Sequence, residues 1–209
     1  MRIFIFVLCL VATLACRHSS KIPDDFDYGE IENGVYNNNY FQFKIPVPEN
    51  WAVQTREQVQ QLQKQDGETV SGNSSELRST IKATDVQAAI LLTVLKNKPE
   101  NSLNEFNPSF LILAENLSGS AVMKTGKDYL EHAKEIMKQS NLSYQFAPDY
   151  YSEKIGNRKF DAMNITLDSV QRTYYSMINR NFALSLIISS RDNQQKQELK
   201  NIINKIRFR

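Results

Sequence analysis

The side chains in this sequence that could do chemistry are few and scattered. Histidine occurs twice, at His18 and His132. A histidine-based triad or a two-histidine metal site would need both to converge, and they sit far apart in the chain. Cysteine also occurs twice, at Cys9 and Cys16. Acidic residues are common, so a pair of carboxylates for acid–base work is open. The one that stands out is Glu115, inside the apolar run Ser109 to Leu117. A carboxylate held there would have a raised pKa. The ordinary alternative is an exposed strand-end glutamate or one paired with a lysine. A glycine-rich phosphate loop and metal-spaced clusters are absent. Tyrosines recur in the second half, at Tyr144, Tyr150, Tyr151, Tyr174 and Tyr175. On an exposed sheet face they would form a partner or ligand surface. Otherwise they divide between the core and ordinary strand positions.

These counts point away from catalysis. We expect no catalytic set, no metal and no cofactor. The chain carries 25 Lys and Arg against 23 Asp and Glu. That balance lacks the basic excess of a nucleic-acid binder. Lys196, Lys200, Lys205, Arg207 and Arg209 do make the last segment basic. Such a run suits anionic lipid, or simply the dipole at a helix C-terminus. Four stretches fit the N-glycosylation pattern, starting at Asn73, Asn116, Asn141 and Asn164. In an Asn-rich chain such matches arise by chance.

The first sixteen residues set the compartment. Arg2 precedes an unbroken apolar run, Ile3 to Val11, and Ala12-Thr13-Leu14-Ala15 leads into Cys16. This is the layout of an export signal. The apolar run is well short of the roughly 20 residues that span a bilayer. A small residue directly before a cysteine here resembles the lipobox of bacterial lipoproteins. The resemblance implies that Cys16 receives a diacylglycerol and that the signal is cut before it. The new amino group is then usually acylated. The leucine common three residues before the cysteine is Thr13 here, with Leu14 beside it. The alternative is an ordinary secreted chain cleaved after Ala15. Removal of residues 1–15, which hold only Arg2, leaves 24 basic against 23 acidic residues, a charge of +1. It also removes Cys9, so a lipidated chain has no disulfide. Arg17 is not the aspartate that retains many lipoproteins at the inner membrane, which favours the outer one.

The remaining chain reads as one domain on a tether. Residues 16–34 are polar and acidic, with Asp24, Asp25, Asp27, Glu30 and Glu32, and show no period. They read as a spacer of roughly 20–25 Å. Residues 35–209 carry the elements. Val35-Tyr36 and Tyr40 to Ile45 form a hairpin about Asn37-Asn38-Asn39, with Phe41, Phe43 and Ile45 inward. Trp51 would plug one end of the core. Thr55 to Gln65 is a polar surface helix, capped by Thr55 and Gln58. Gly67 to Ser75 is a loop, and Glu76 to Ala83 is helix end or strand. Ala88 to Lys96 is apolar on both faces, which places it centrally in a covered sheet. Ser109 to Leu117 is a second strand. Lys127 to Ser140 is an amphipathic helix through Tyr129, Leu130, Ala133, Ile136 and Met137, starting at Thr125, with His132 on its polar flank. Tyr150 to Ile155, Lys159 to Asp168, Val170 to Asn179 and Phe182 to Ser190 are strands. The last two turn at Arg180-Asn181. Asp192 caps a final helix carrying Leu199, Ile202, Ile203 and Ile206.

The order predicts an α+β fold, a mainly antiparallel β-sheet flanked by about three helices. Three stretches resemble the PsbP-like group of small exported domains. They are Tyr40 to Pro46 followed by Asn50-Trp51, the late hairpin from Arg172-Thr173-Tyr174-Tyr175 through Phe182 to Leu186, and the closing helix Leu199 to Phe208. The resemblance implies an α/β/α sandwich over Val35 to Phe208. Its members serve as extrinsic subunits of photosystem complexes, as partner-binding proteins, or as bacterial lipoproteins of unknown role, and it supplies no catalytic residues. The sequence thus points to an envelope lipoprotein that binds a protein or envelope component. A carboxylate enzyme in a cleft near Gly67 or Gly119 and a freely secreted small-ligand carrier are the alternatives.

Overall fold

The computed structural model describes residues 22–55, 57–59, 88–98, 106–118, 120, 122–140 and 142–209. Cys16, His18, the Gly67 to Ser75 loop, the Glu76 to Ala83 stretch and Gly119 lie outside them.

Four long strands form the centre. They are β6 (Ser109–Asn116), β9 (Arg158–Leu167), β10 (Val170–Asn179) and β11 (Phe182–Ser190). β5 (Ala88–Leu95) and the two-residue β4 (Ala52–Val53) extend one side, and β7 (Gln145–Phe146) closes the other. The spatial order is β4-β5-β6-β11-β10-β9-β7, with β8 (Tyr151–Ile155) also paired to β9. A second sheet orders β1 (Glu30–Glu32), β2 (Val35–Asn38), β3 (Phe43–Pro46) and β12 (Arg207–Phe208). Every strand pair among the described residues is antiparallel. Helix α1 (Gly126–Lys138) lies on one face of the large sheet, and α2 (Asn193–Ile203) with the small sheet covers the other. The architecture is α+β and mainly antiparallel. Of the third expected helix, residues 57–59 are helical and the rest is not described.

Local chemistry explains the element ends. Thr125 accepts the Asp128 amide while Asp128 accepts the Thr125 amide, a full capping box on α1. Asp192 accepts from the Gln195 amide at 2.8 Å and starts α2. The Thr55 and Gln58 pair makes the same reciprocal bonds, at 2.9 and 3.3 Å. Asn179 pairs with Phe182 across a two-residue turn in which Arg180 and Asn181 both have positive φ, 52° and 62°. That left-handed turn matches the strand twist.

The large sheet has two apolar faces. Phe110, Ile112, Phe160, Leu184 and Leu186 meet Leu199, Ile203 and Ile206 of the α2 segment and Phe43, Ile45 and Phe208 of the small sheet. Trp51 packs against this core, 6.4 Å from Phe110 ring to ring. On the other face Met163 and Ile165 meet Leu130 of α1.

Three expectations need correction. The acidic segment before Val35 is not a spacer beyond Ile22. Phe26 is 6% exposed and stacks against Tyr28, Tyr40, Phe41 and Phe182 at 4.8–5.9 Å. Glu30–Glu32 is strand β1, joined to β2 by Asn33-Gly34 with φ of 50° and 73°. Aromatic burial and this turn outweigh the acidic composition. The hairpin's asparagines do not supply its left-handed residue either, since Gln42 does, at φ 56°. Asn38 instead points inward, 2% exposed, and accepts the Phe41 amide at 2.7 Å. Nor is β5 central, for among the described residues only β4 lies beyond it. Its register slips between Ile90 and Leu92. This β-bulge buries Ala89, Leu91, Leu92 and Val94 together, so alternation reads as a continuous run.

Two outcomes follow from this packing. Phe26→Ala should lower unfolding free energy in urea by about 3–5 kcal/mol. A spacer residue would leave it within about 0.5 kcal/mol. Gly126 starts α1 where an added Cβ would strike the Ser176 carbonyl. Gly126→Ala should cost about 1–3 kcal/mol in the same assay.

Candidate functional site

Register brings Glu115 to the α1 face of the sheet, opposite Ala183 of β11 and Ala88 of β5. There the Tyr129 hydroxyl donates to its carboxylate at 2.8 Å. Ser185 lies within hydrogen-bonding reach of the same phenol and donates to Ser176 at 3.0 Å. Burial raises the Glu115 pKa, opposed by the Tyr129 hydrogen bond and by the charge of His132. The Tyr129 pKa is driven well up, first by burial and then by the Glu115 charge. Glu115 is therefore not a solvent-facing strand end, and among the described residues it pairs with no lysine. Its bonds make it a clamp between helix and sheet. Among the described residues, no three His, Cys, Asp or Glu side chains converge to hold a metal ion.

The five tyrosines separate. Tyr175 is fully buried on the α2 face, and its hydroxyl donates to Glu153 at 3.3 Å. Glu153 also pairs with Lys200 of α2 at 2.7 Å. Tyr174 is half-buried under α1, with its pKa pushed by burial to about 12. Tyr144 and Tyr150 are half-buried beside Phe146, and Tyr151 is exposed at 36%. Lysines from α1 lie over this group. Lys134 sits 5.2 Å from the Phe146 ring and 5.5 Å from Tyr150, and Lys127 sits 5.7 Å from Tyr150. Burial, then Glu131 and Glu135, raise the Tyr150 pKa. Tyr144, Phe146, Tyr150, Lys127 and Lys134 thus form a half-open aromatic and cationic face along α1 and β7. The tyrosine pattern indicated this face, but the two lysines and Phe146 were not singled out from sequence. Their i, i+7 spacing on α1 was the available signal.

Two sequon asparagines are committed to structure. Asn116 is buried and accepts the Ser118 amide at 2.9 Å. Asn164 lies inside β9 and accepts from Thr173 at 2.7 Å. Asn73 and Asn141 are not described. In the basic C-terminal segment, Lys200 is paired, and Arg207 donates to the Asn204 and Ile206 carbonyls at 3.0 and 2.8 Å. The bond to the Asn204 carbonyl, at the C-cap, helps stabilise the end of α2.

No family model and no curated protein matches the sequence. Among solved structures the chain is similar to the solution structure of cyanobacterial PsbP (CyanoP) from Synechocystis sp. PCC 6803. The identity is 8%, the match covers 87% of this chain and 96% of that one, and the TM-score is 0.48. The α+β assignment rests on the strand register above.

The Glu115 clamp gives a pH-dependent outcome. Its folded pKa lies above the unfolded value, so the folded state binds more protons between the two. Stability from this group therefore falls as pH rises from the unfolded pKa through the folded one. The Tyr129 bond offsets part of that loss once the carboxylate is charged. Tyr129→Phe should cost about 2 kcal/mol at pH 7, as expected for a hydrogen bond to a charged group. It should cost less at pH 4, measured by urea unfolding at each pH. An equal cost at both would show that the bond does not act on the carboxylate.

Proposed function

We propose that this chain is a non-catalytic, membrane-anchored lipoprotein of a bacterial envelope, tethered through Cys16 and binding a protein or envelope component. The observation that carries the binding part is the half-open face of Tyr144, Phe146 and Tyr150 with Lys127 and Lys134 over the rings. Large, stiff aromatic side chains with a polar or cationic rim are what partner surfaces use. Glu115 does not favour the carboxylate-enzyme reading, because its hydrogen-bond partner is a tyrosine holding α1 to the sheet. The anchoring part rests on the Arg2-to-Cys16 pattern in the sequence. The outer membrane is the proposed address, from Arg17 after the cysteine. No helix among the described residues is long and apolar enough to cross a membrane.

Two measurements test this reading. Intact-mass analysis of protein from its native membrane fraction should find a chain beginning at Cys16 with a lipid-sized increment, absent from Cys16→Ser. An unmodified chain beginning elsewhere would rule the anchor out. A photo-crosslinking residue at Glu131, exposed on α1 beside Tyr150, should give discrete adducts in the envelope. The same group at Gln194, exposed on α2 across the sheet, should not. Equal labelling at both positions, or none, would count against a partner on the α1 face.

A further inference from the structure

The small sheet turns one face to the core and the other outward. On the outward face the register sets Glu30, Asn37, Lys44 and Arg207 in one row across β1, β2, β3 and β12. Lys44 and Arg207 are direct cross-strand neighbours of like charge. Such a pair destabilises a sheet unless something neutralises it. No ion pair among the described residues involves Lys44, Arg207 or Arg209. Glu30 stands two strands from Lys44, about 10 Å away at normal strand spacing, where solvent and salt screen it.

The same residues border a groove of about 230 Å³. Lys44, Arg207 and Arg209 supply cations, Asn37 and Asn39 supply amides, and no acidic residue lines it. Part of this frame is held in place. Arg207 uses one terminal nitrogen on the Asn204 and Ile206 carbonyls and keeps its other donors. The Arg209 amide donates to Gln42 at 2.9 Å, and Arg158 donates to the Arg209 carbonyl at 3.2 Å. A fixed guanidinium loses less freedom on binding a ligand.

We propose that this groove binds a phosphate group, of the kind carried by an anionic phospholipid headgroup or by free phosphate. Arginine with flanking lysine and amide donors matches the shape and charge of phosphate oxygens. Position favours the headgroup. The Asn39 amide donates to the Asp27 carboxylate at 2.8 Å and the Asn38 side chain to the Asp27 carbonyl at 3.0 Å. The chain thus enters the domain beside the groove. From Cys16 to Ile22 is at most about 20 Å even fully extended. The choice of headgroup rests on the Cys16 anchor; phosphate binding does not.

The test uses the full chain and the double variant Lys44→Glu/Arg209→Glu, whose replaced side chains are exposed and whose backbone bonds persist. Unfolding midpoints establish that both fold, and the milder Lys44→Gln/Arg209→Gln pair should show an intermediate effect. Binding to phosphatidylglycerol–phosphatidylcholine vesicles is compared with pure phosphatidylcholine at low and high salt. Amide shifts are followed in parallel as inorganic phosphate is added. A loss of about tenfold or more in the charge-reversed variant on anionic vesicles, shrinking with salt, identifies the headgroup. Phosphate-induced shifts at Lys44, Arg207 and Arg209 without a vesicle difference identify free phosphate. No shifts there, with vesicle binding unchanged by charge reversal, would overturn the proposal. Failure of the Cys16 anchor would alter all variants alike and leave their difference readable.

Discussion

An antiparallel sheet that is apolar on both faces cannot stand by itself in water. Burying each large apolar side chain contributes roughly 1.5–3 kcal/mol, and leaving it bare forfeits that. The ladder β6-β11-β10-β9 presents Phe110, Ile112, Leu184 and Leu186 on one side and Met163 and Ile165 on the other. The rest of the described fold supplies the two covers. The small sheet and α2 close the first side, and α1 closes the second. Polar groups are then placed to hold the covers down. Lys200 to Glu153 ties α2 to β8, and Tyr129 to Glu115 ties α1 to β6. Ser176 and Ser185 bond each other where α1 starts, satisfying hydroxyls in a dry interior.

The two ties differ in physical kind. The Lys200–Glu153 pair is about one-quarter exposed on each side chain, so water screens it only partly. Tyr175 donates to the same carboxylate from the core, anchoring it to β10 as well. Lys196, one turn earlier on α2, has a lowered pKa from burial and from the charge of Lys200. The Lys96–Glu198 pair at 2.6 Å is more exposed and adds little. The Glu115 clamp lies deeper, and its worth depends on whether the carboxylate is charged. The helix that carries the aromatic and cationic face is therefore held partly by a titrating bond.

Local rules made much of this legible. The caps at Thr55, Thr125 and Asp192 follow from side-chain donors and acceptors a few residues apart. The alternation of Phe41, Phe43 and Ile45 follows from the two-residue period of a strand. What stayed hidden depends on contacts distant in sequence. No turn was expected at Asn33-Gly34, where the surrounding acids masked a strand whose place is secured by Phe26 on Phe182. The bulge at Leu91 erased the alternation that would have marked β5 as half-covered. β4, β7 and β12 are two residues each, too short to show any period. For the sites, Glu115 was conspicuous as an acid in an apolar run, but its partner comes from a helix elsewhere. The β2–β3 hairpin sets Asn37 beside Lys44, but Arg207 joins them only because β12 returns to pair with β3.

If Cys16 carries the proposed lipid, the aromatic cluster around Phe26 would set how far the domain can lie from it. If the domain were to begin at Val35, a lipid on Cys16 would let it sample a wide shell above a bilayer. With Phe26 locked in and Ile22 packed on the core, Cys16 stands only six residues before the packed domain. Under the proposed anchor, so short a span would confine the domain to a thin layer and make its encounters with the surface intramolecular. Effective concentrations for such short linkers reach the millimolar range. A contact with the bilayer far too weak to hold a free protein would then be occupied much of the time, and it would fix which side of the domain faces away.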